Sequence, residues 1–253
     1  MSQLITQEIA IVISVPVQNP TMLNEDFLKQ TGIIPSDWKL ERDPVYSDRV
    51  AQIMFTNGFS IVAQPDRLMF LELVGDRSIE TINVGEVAQK YVAILKMADY
   101  HTVGLNFRSY VSQSSPNAAT EYINSKLLSG GSWQQYGSGK MRASVNLNYD
   151  LAERHLNLSI DAAKVQFPTP SDNPALVFSG TFSYDTPASS DDRVTAIAKI
   201  IGNWKQELNE FNAFIAGQLL SIVGKPANKA QSISDYIEFV DAPVLPPILF
   251  TYN

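Results

Sequence analysis

The stretch Val50-Ala51-Gln52-Ile53-Met54-Phe55-Thr56-Asn57-Gly58-Phe59-Ser60-Ile61-Val62-Ala63 decides the reading of the chain. Two β-prone runs flank Thr56-Asn57-Gly58, and Asn-Gly supplies the positive φ angles that a tight hairpin turn requires. Pro65-Asp66 makes the next turn into residues 67–74, completing a three-strand meander. Upstream, Ile9, Ile11, Ile13 and Val15 alternate with Ala10, Val12 and Ser14, so residues 6–17 read as a strand with both faces largely covered. Asn19-Pro20-Thr21 then opens a short helical pattern through Met22, Leu23, Phe27 and Leu28, with Gly32 as its stop. Residues 33–46, with Pro35 and Pro44, read as extended, and residues 85–98 place Val87, Tyr91, Ile94 and Leu95 at helical spacing.

From Tyr100 the same order begins again. Val103, Leu105 and Phe107 alternate as a strand, and residues 116–128 read as a helix stopped by Ser129-Gly130-Gly131. Three one-sided strands come next: Met141 to Tyr149, Leu156 to Ile160, and Leu176 to Tyr184. Val194, Ile197, Ile201, Trp204, Leu208, Phe211, Ile215, Leu219 and Ile222 then step by three and four, which predicts one long amphipathic helix from residue 190 to 223, about 50 Å at 1.5 Å per residue unless a kink at Gly202 or Gly217 shortens it. Trp204 and Phe211 belong to its buried stripe, and Ser189 with Asp192 has capping-box spacing.

The chain therefore reads as α+β: two similarly ordered β-α-β-β-β-α halves, residues 1–98 and 99–223, mainly antiparallel, ending in an extended apolar tail over 224–253. That order resembles the helix-grip and TATA-binding-protein-like halves, in which a curved antiparallel sheet wraps a helix. Val103-Gly104-Leu105-Asn106-Phe107-Arg108 also resembles the central strand of sporadically distributed, uncharacterised bacterial proteins with this doubled plan. Residues 58–64 together with Pro65-Asp66-Arg67 are similar to conserved hypothetical proteins of the cyanobacterial type. The resemblance implies no activity, since function does not travel with topology.

Composition excludes more than it assigns. The absence of cysteine among the 253 residues removes disulfides, thiolate nucleophiles and cysteine-ligated metals. A formal charge of -7 disfavours a dominant phosphate-binding role. The apolar run Ile9 to Val17 comes after Glu8 without a basic flank and falls short of the roughly 20 residues of a membrane span, so a cytoplasmic location is expected.

The chemical motifs are thin. Gly137-Ser138-Gly139-Lys140 fails as a phosphate loop, because the pattern's first glycine falls on Gln134, the residue after Lys140 is Met141, and residues 141–149 alternate as a strand where a helix is needed. His101 and His155, the two histidines, lack a nucleophile-elbow context and metal spacing. Glu25-Asp26 and Asp191-Asp192 suit helix starts. No catalytic, cofactor or metal residue is assigned.

Surfaces carry the positive evidence. Lys140, Arg142, Ser144, Asn146 and Asn148, then His155, Asn157, Ser159 and Asp161, then Ser179, Thr181 and Ser183 form a polar register, suited to water or to a polar partner. In the first half Val50 and Met54 lie opposite Ile53 and Phe55, and Leu68, Met69, Phe70 and Leu71 fill both faces, so something covers the second face. Residues 242–253 carry no charged side chain and present Leu245, Ile248, Leu249, Phe250 and Tyr252 among three prolines. They read either as an internal strap or as a segment that docks on a partner. The expected function is therefore a non-enzymatic protein-interaction or assembly role, with a protein partner or homo-oligomer. A small-molecule binder or enzyme using a sheet–helix cavity is the first alternative, and a nucleic-acid-associated protein is the second.

Overall fold

A computed structural model of the chain describes residues 3–16, 19–166, 172–187 and 190–220. In chain order the elements are β1 (Ile5–Ser14), α1 (Glu25–Gln30), β2 (Val45–Tyr46), β3 (Ala51–Met54), β4 (Phe59–Gln64), β5 (Arg67–Leu73), α2 (Val84–Ile94), β6 (Thr102–Ser112), α3 (Pro116–Tyr122), β7 (Val145–Asp150), β8 (His155–Gln166), β9 (Asp172–Asp185), α4 (Ser190–Gly202) and α5 (Trp204–Phe214). The α+β expectation holds. The strands form one nine-stranded antiparallel sheet in the order β2-β3-β4-β5-β1-β6-β9-β8-β7.

The hairpin at Asn57-Gly58 forms because Gly58 takes φ 81° while the Asn57 side chain accepts a hydrogen bond from the Phe59 amide at 3.1 Å. Strands β1 and β6 are the central neighbours, with Ile9 opposite Phe107 and Ile13 opposite Val103. Strands from either side of residues 98 and 99, the expected boundary of the two halves, are thus neighbours in one sheet.

Alternation sends Ile9, Ile11 and Ile13 of β1, Phe70 of β5, Leu105 and Phe107 of β6, and Phe178 and Phe182 of β9 to one face, all fully or almost fully buried. Leu28 of α1, Val87 and Tyr91 of α2, Tyr122 of α3, Ile197 and Ile201 of α4, and Trp204 and Phe211 of α5 join them in a single core. A slip of one residue in any strand would exchange its faces, so this burial also holds the register. Helix α1 starts at Asn24, whose side chain accepts from the Phe27 amide at 2.8 Å, with Glu25 and Asp26 in its first turn as capping predicts.

Three expectations need correction. Among the described residues the single helix expected over 190–223 is instead α4 and α5, interrupted at Asn203, directly after Gly202. In α5, Trp204 seats on Gly85 of α2 and Phe211 on Gly180 of β9, positions where a Cβ would overlap the ring. Residues 141–144 stay outside the sheet, because β7 begins at Val145, opposite Ile160. Helix α2 stops at Ile94 rather than Ala98. Ser189, Ile222 and residues 224–253 lie outside the described residues.

Candidate functional site

Among the described residues the helices that share the core pack against one face of the sheet, and the second face lies opposite them. Pairing defines its rows: one runs Met54, Ser60, Leu71 and Ala10, then continues as Asn106, Thr181, Asn157 and Asn148. The next runs Gln52, Val62, Met69 and Val12, then Gly104, Ser183, His155 and Asp150. This outer face is therefore split. Over β3, β4, β5 and β1 it is mainly apolar, with Gln52 and Ser60 among Met54, Val62, Met69, Leu71, Ala10 and Val12, and over β6, β9, β8 and β7 it is mainly Asn, Ser and Thr, with His155 and Asp150 at its edge.

Several side chains of the polar half bond to one another. Asn157 Nδ2 donates to Asn148 Oδ1 at 2.6 Å, Thr181 Oγ1 donates to Asn106 Oδ1, and Ser159 Oγ donates to Asp161 Oδ2. At its upper end a small second core forms from Tyr110, Val165, Ala175 and Val177, with Ile5 packed against it, where the long β8–β9 hairpin continues past the rest of the sheet. Tyr110 is buried there, so it offers no stacking platform to a nucleic-acid base.

The apolar half is different. Met54, Val62, Met69, Leu71 and Leu73 are half-buried by their own neighbours but belong to neither core cluster. At the seam Arg108 of β6 faces Glu8 of β1. Burial raises the Glu8 carboxyl above its ordinary value, and the opposing Arg108 charge offsets this only in part. Arg108 Nε is itself buried without a hydrogen-bond partner. Of these positions the sequence exposed Met54, Met69 and Leu71; Val62, Leu73 and Val12 became part of the patch only through the pairing of β4 and β1 with β5.

The remaining candidates are dispersed. His155 pairs with exposed Asp150 at 2.8 Å, and His101 with exposed Asp99 at 3.0 Å. The His101 hydrogen bond and then Arg193 hold the Asp99 carboxyl below its ordinary value, so this pair anchors α4 to the chain before β6. Gly137 to Lys140 form an exposed loop ahead of β7. Among the described residues no group of three His, Asp or Glu side chains could hold a metal ion, and no helix is long and apolar enough to cross a membrane. Leu245, Ile248, Leu249, Phe250 and Tyr252 lie outside the described residues.

One cleft of about 340 Å³ opens beside the core, between the ends of β1, β4 and β5 and the C-terminal end of α2. Val15, Leu23, Ala63, Leu68, Tyr91 and Leu95 line it. Met22 and Met97 stand at its rim, 64% and 90% exposed. Tyr100 donates its hydroxyl to the Leu95 carbonyl at 3.0 Å, and burial pushes the Tyr91 phenol up to about 12. These are stable, neutral groups, suited to packing rather than to proton transfer.

No family model matches the chain, and no curated protein matches it.

Proposed function

We propose that this protein is non-enzymatic and acts by holding another protein chain against the outer face of its sheet, in an assembly or scaffolding role. The supporting observation is the apolar half of that face: Met54, Val62, Met69, Leu71 and Leu73 form a contiguous patch that no described helix covers. An apolar sheet surface of this kind is unfavourable in water and marks a contact site. Its methionines suit a surface that adapts to a partner's side chains.

The cleft beside Tyr91 supports the second reading, a binder of a small apolar molecule, since about 340 Å³ lies at the lower end of the usual ligand-pocket range. Nucleic acid draws less support. By strand register Arg67, opposite Ser14, and Arg108 share the face with Glu8, Asp150 and Asp161, the last opposite Val177, which dilutes the positive potential that phosphates need.

Affinity purification of the full chain and of Leu71→Glu, from the native host under matched conditions, separates these readings. The expected result is a partner recovered with the wild-type chain and lost with Leu71→Glu, while the variant keeps its melting temperature. Identical recovery with both chains would remove the outer face from the function. A small molecule that co-purifies and is lost only when Leu95 or Tyr91 is changed would favour the cleft.

A further inference from the structure

We infer that the protein pairs with a second copy of itself through β7, the last strand of the sheet, in a two-fold antiparallel contact centred on Asn148. The contact lies at the opposite end of the sheet from the apolar half-face and does not depend on it.

The two ends of the sheet are built differently. At one end β2 is two residues long, follows Asp43-Pro44 and precedes Ser47-Asp48-Arg49, the short, proline-flanked and charged form that keeps an edge from adding strands. At the other end β7 runs six residues, pairs with β8 without a register shift, and contains no proline and no lysine. Among the described residues no strand pairs with its outer side. The direction of its backbone groups follows from the turn. The Leu151 amide donates to the Arg154 carbonyl at 2.9 Å, so Leu151 turns its backbone toward β8. Tyr149, Leu147 and Val145 do the same by alternation, and the amides and carbonyls of Asn146, Asn148 and Asp150 point away from β8.

Those three residues select a second copy. A two-fold axis through Asn148 sets Asn148 opposite its own copy and Asn146 opposite Asp150 in both directions, so every outward-pointing residue enters a pair that exchanges two backbone hydrogen bonds. On the core side the same axis sets Leu147 opposite Tyr149 and Val145 opposite Leu151, all four of which pack against the core, so the apolar face continues across the contact. No like charges are opposed, because the strand's one carboxylate, Asp150, meets an asparagine. An axis at Leu147 would set Asp150 opposite Ser144, outside the strand, and one at Tyr149 would set Asn146 opposite Ala152 in the turn. An axis between two residues would oppose outward-pointing groups to groups already bonded to β8.

Six paired residues bury less area than a standard interface, and the loop leading into β7 holds the remainder. It presents Trp133, 53% exposed, and Tyr136, 97% exposed, side chains of the type that anchors interfaces. Asn124 fixes this loop, donating from Nδ2 to the Met141 carbonyl at 3.0 Å and accepting at its carbonyl from Gln134 Nε2 at 3.1 Å.

Sedimentation of the full chain over a range of concentrations should show a reversible equilibrium between monomer and dimer. Asn146 and Asn148 are both exposed, and the same charge placed at each has opposite effects in this geometry. Asn148→Lys faces its own copy and should weaken association about five-fold, whereas Asn146→Lys faces Asp150 of the second copy and should strengthen it about five-fold. Asn148→Lys mixed with Asn148→Asp should associate more tightly than either alone. A wild-type chain that stays monomeric to about millimolar concentration would overturn the inference, as would lysine variants that both shift association in one direction. Hydrogen exchange on the wild-type chain needs no variant: the Asn146, Asn148 and Asp150 amides should be protected at high concentration and exchange freely on dilution. Protection that persists on dilution would assign the edge to a segment of the same chain and would equally overturn the pairing.

Discussion

Phe211 of α5 lies against the backbone of Gly180 in β9 so closely that a Cβ at position 180 would overlap the ring. Gly180 sits between Phe107 and Leu158 in the middle of the sheet, and the Phe211 ring also packs 5.8 Å, centroid to centroid, from Phe107. Helix α5 is thus seated by an absence: the missing side chain lets an aromatic ring reach the sheet itself. Trp204 repeats the arrangement over Gly85 at the other end of α5.

Gly180→Ala should therefore destabilise the fold by about 1–3 kcal/mol through overpacking, and Phe211→Ala by about 3–5 kcal/mol through the cavity it leaves. The pair Gly180→Ala, Phe211→Leu should cost less than the sum of the two single changes, because the smaller side chain makes room for the new methyl group. Urea unfolding of the wild type, the two single variants and the pair measures this coupling, and strict additivity would show that the close approach is not the cause.

Gly58→Val tests the hairpin. A β-branched residue at φ 81° is strained by more than about 1 kcal/mol, and a Cβ there would already touch Leu73 Cβ at 3.5 Å. Thermal unfolding should show a lowered midpoint, whereas an unchanged midpoint would mean that the turn tolerates another geometry.

Arg154, in the turn between β7 and β8, pairs with buried Glu207 of α5 at 3.1 Å and with exposed Glu210 at 2.6 Å, and it stacks over Phe182. Removing it leaves Glu207 inside the protein with its cation gone. Arg154→Ala should cost about 3 kcal/mol, and adding Glu207→Gln should recover part of that loss. If the double variant is as unstable as the single one, the cost lies in Arg154 packing on Phe182 rather than in charge.

Glu72 is fully buried and is held by Arg77 Nη1 at 2.7 Å and the Asn83 amide at 2.7 Å. Burial still raises its carboxyl above the ordinary value, outweighing Arg77 and Asn83, which lower it. The folded chain then retains a proton at a pH where the unfolded chain has released it. This contribution is fully present below the unfolded value of 4.5 and is lost as pH rises through the raised folded value. The stability of the wild type minus that of Glu72→Gln should therefore fall between about pH 3.5 and pH 7. Urea midpoints across that range measure it, and a difference that grows with pH would reverse the assignment.

Much of this fold was legible locally. Asn57-Gly58 announces a hairpin because its backbone preference is set within four residues, and the 3.6-residue period of Val194 to Leu219 announces a buried helical face. The doubled excess of apolar residues at 68–71 likewise pointed to a second surface needing cover. The interruption after Gly202 was legible as a kink that this glycine, like Gly217, offers, although the apolar period continues through it. What the local pattern did not contain is the seating of Trp204 and Phe211 on two glycines, at positions 85 and 180, remote from them along the chain.

By itself, then, the sequence determined the kinds of element, the faces they bury, the lack of cysteine chemistry and the uncharged character of residues 242–253, because each depends on side-chain type and on spacing over a few residues. Tertiary structure alone decided that β1 and β6 are neighbours, and with that, that an apolar half-face meets a polar one at Glu8 and Arg108. The reason is physical: the alternation of a strand says which residues share a face, but not which strand lies beside it. Partner choice in a sheet is settled by the simultaneous burial of all helices and strands in one core, over separations of about a hundred residues that no local preference spans.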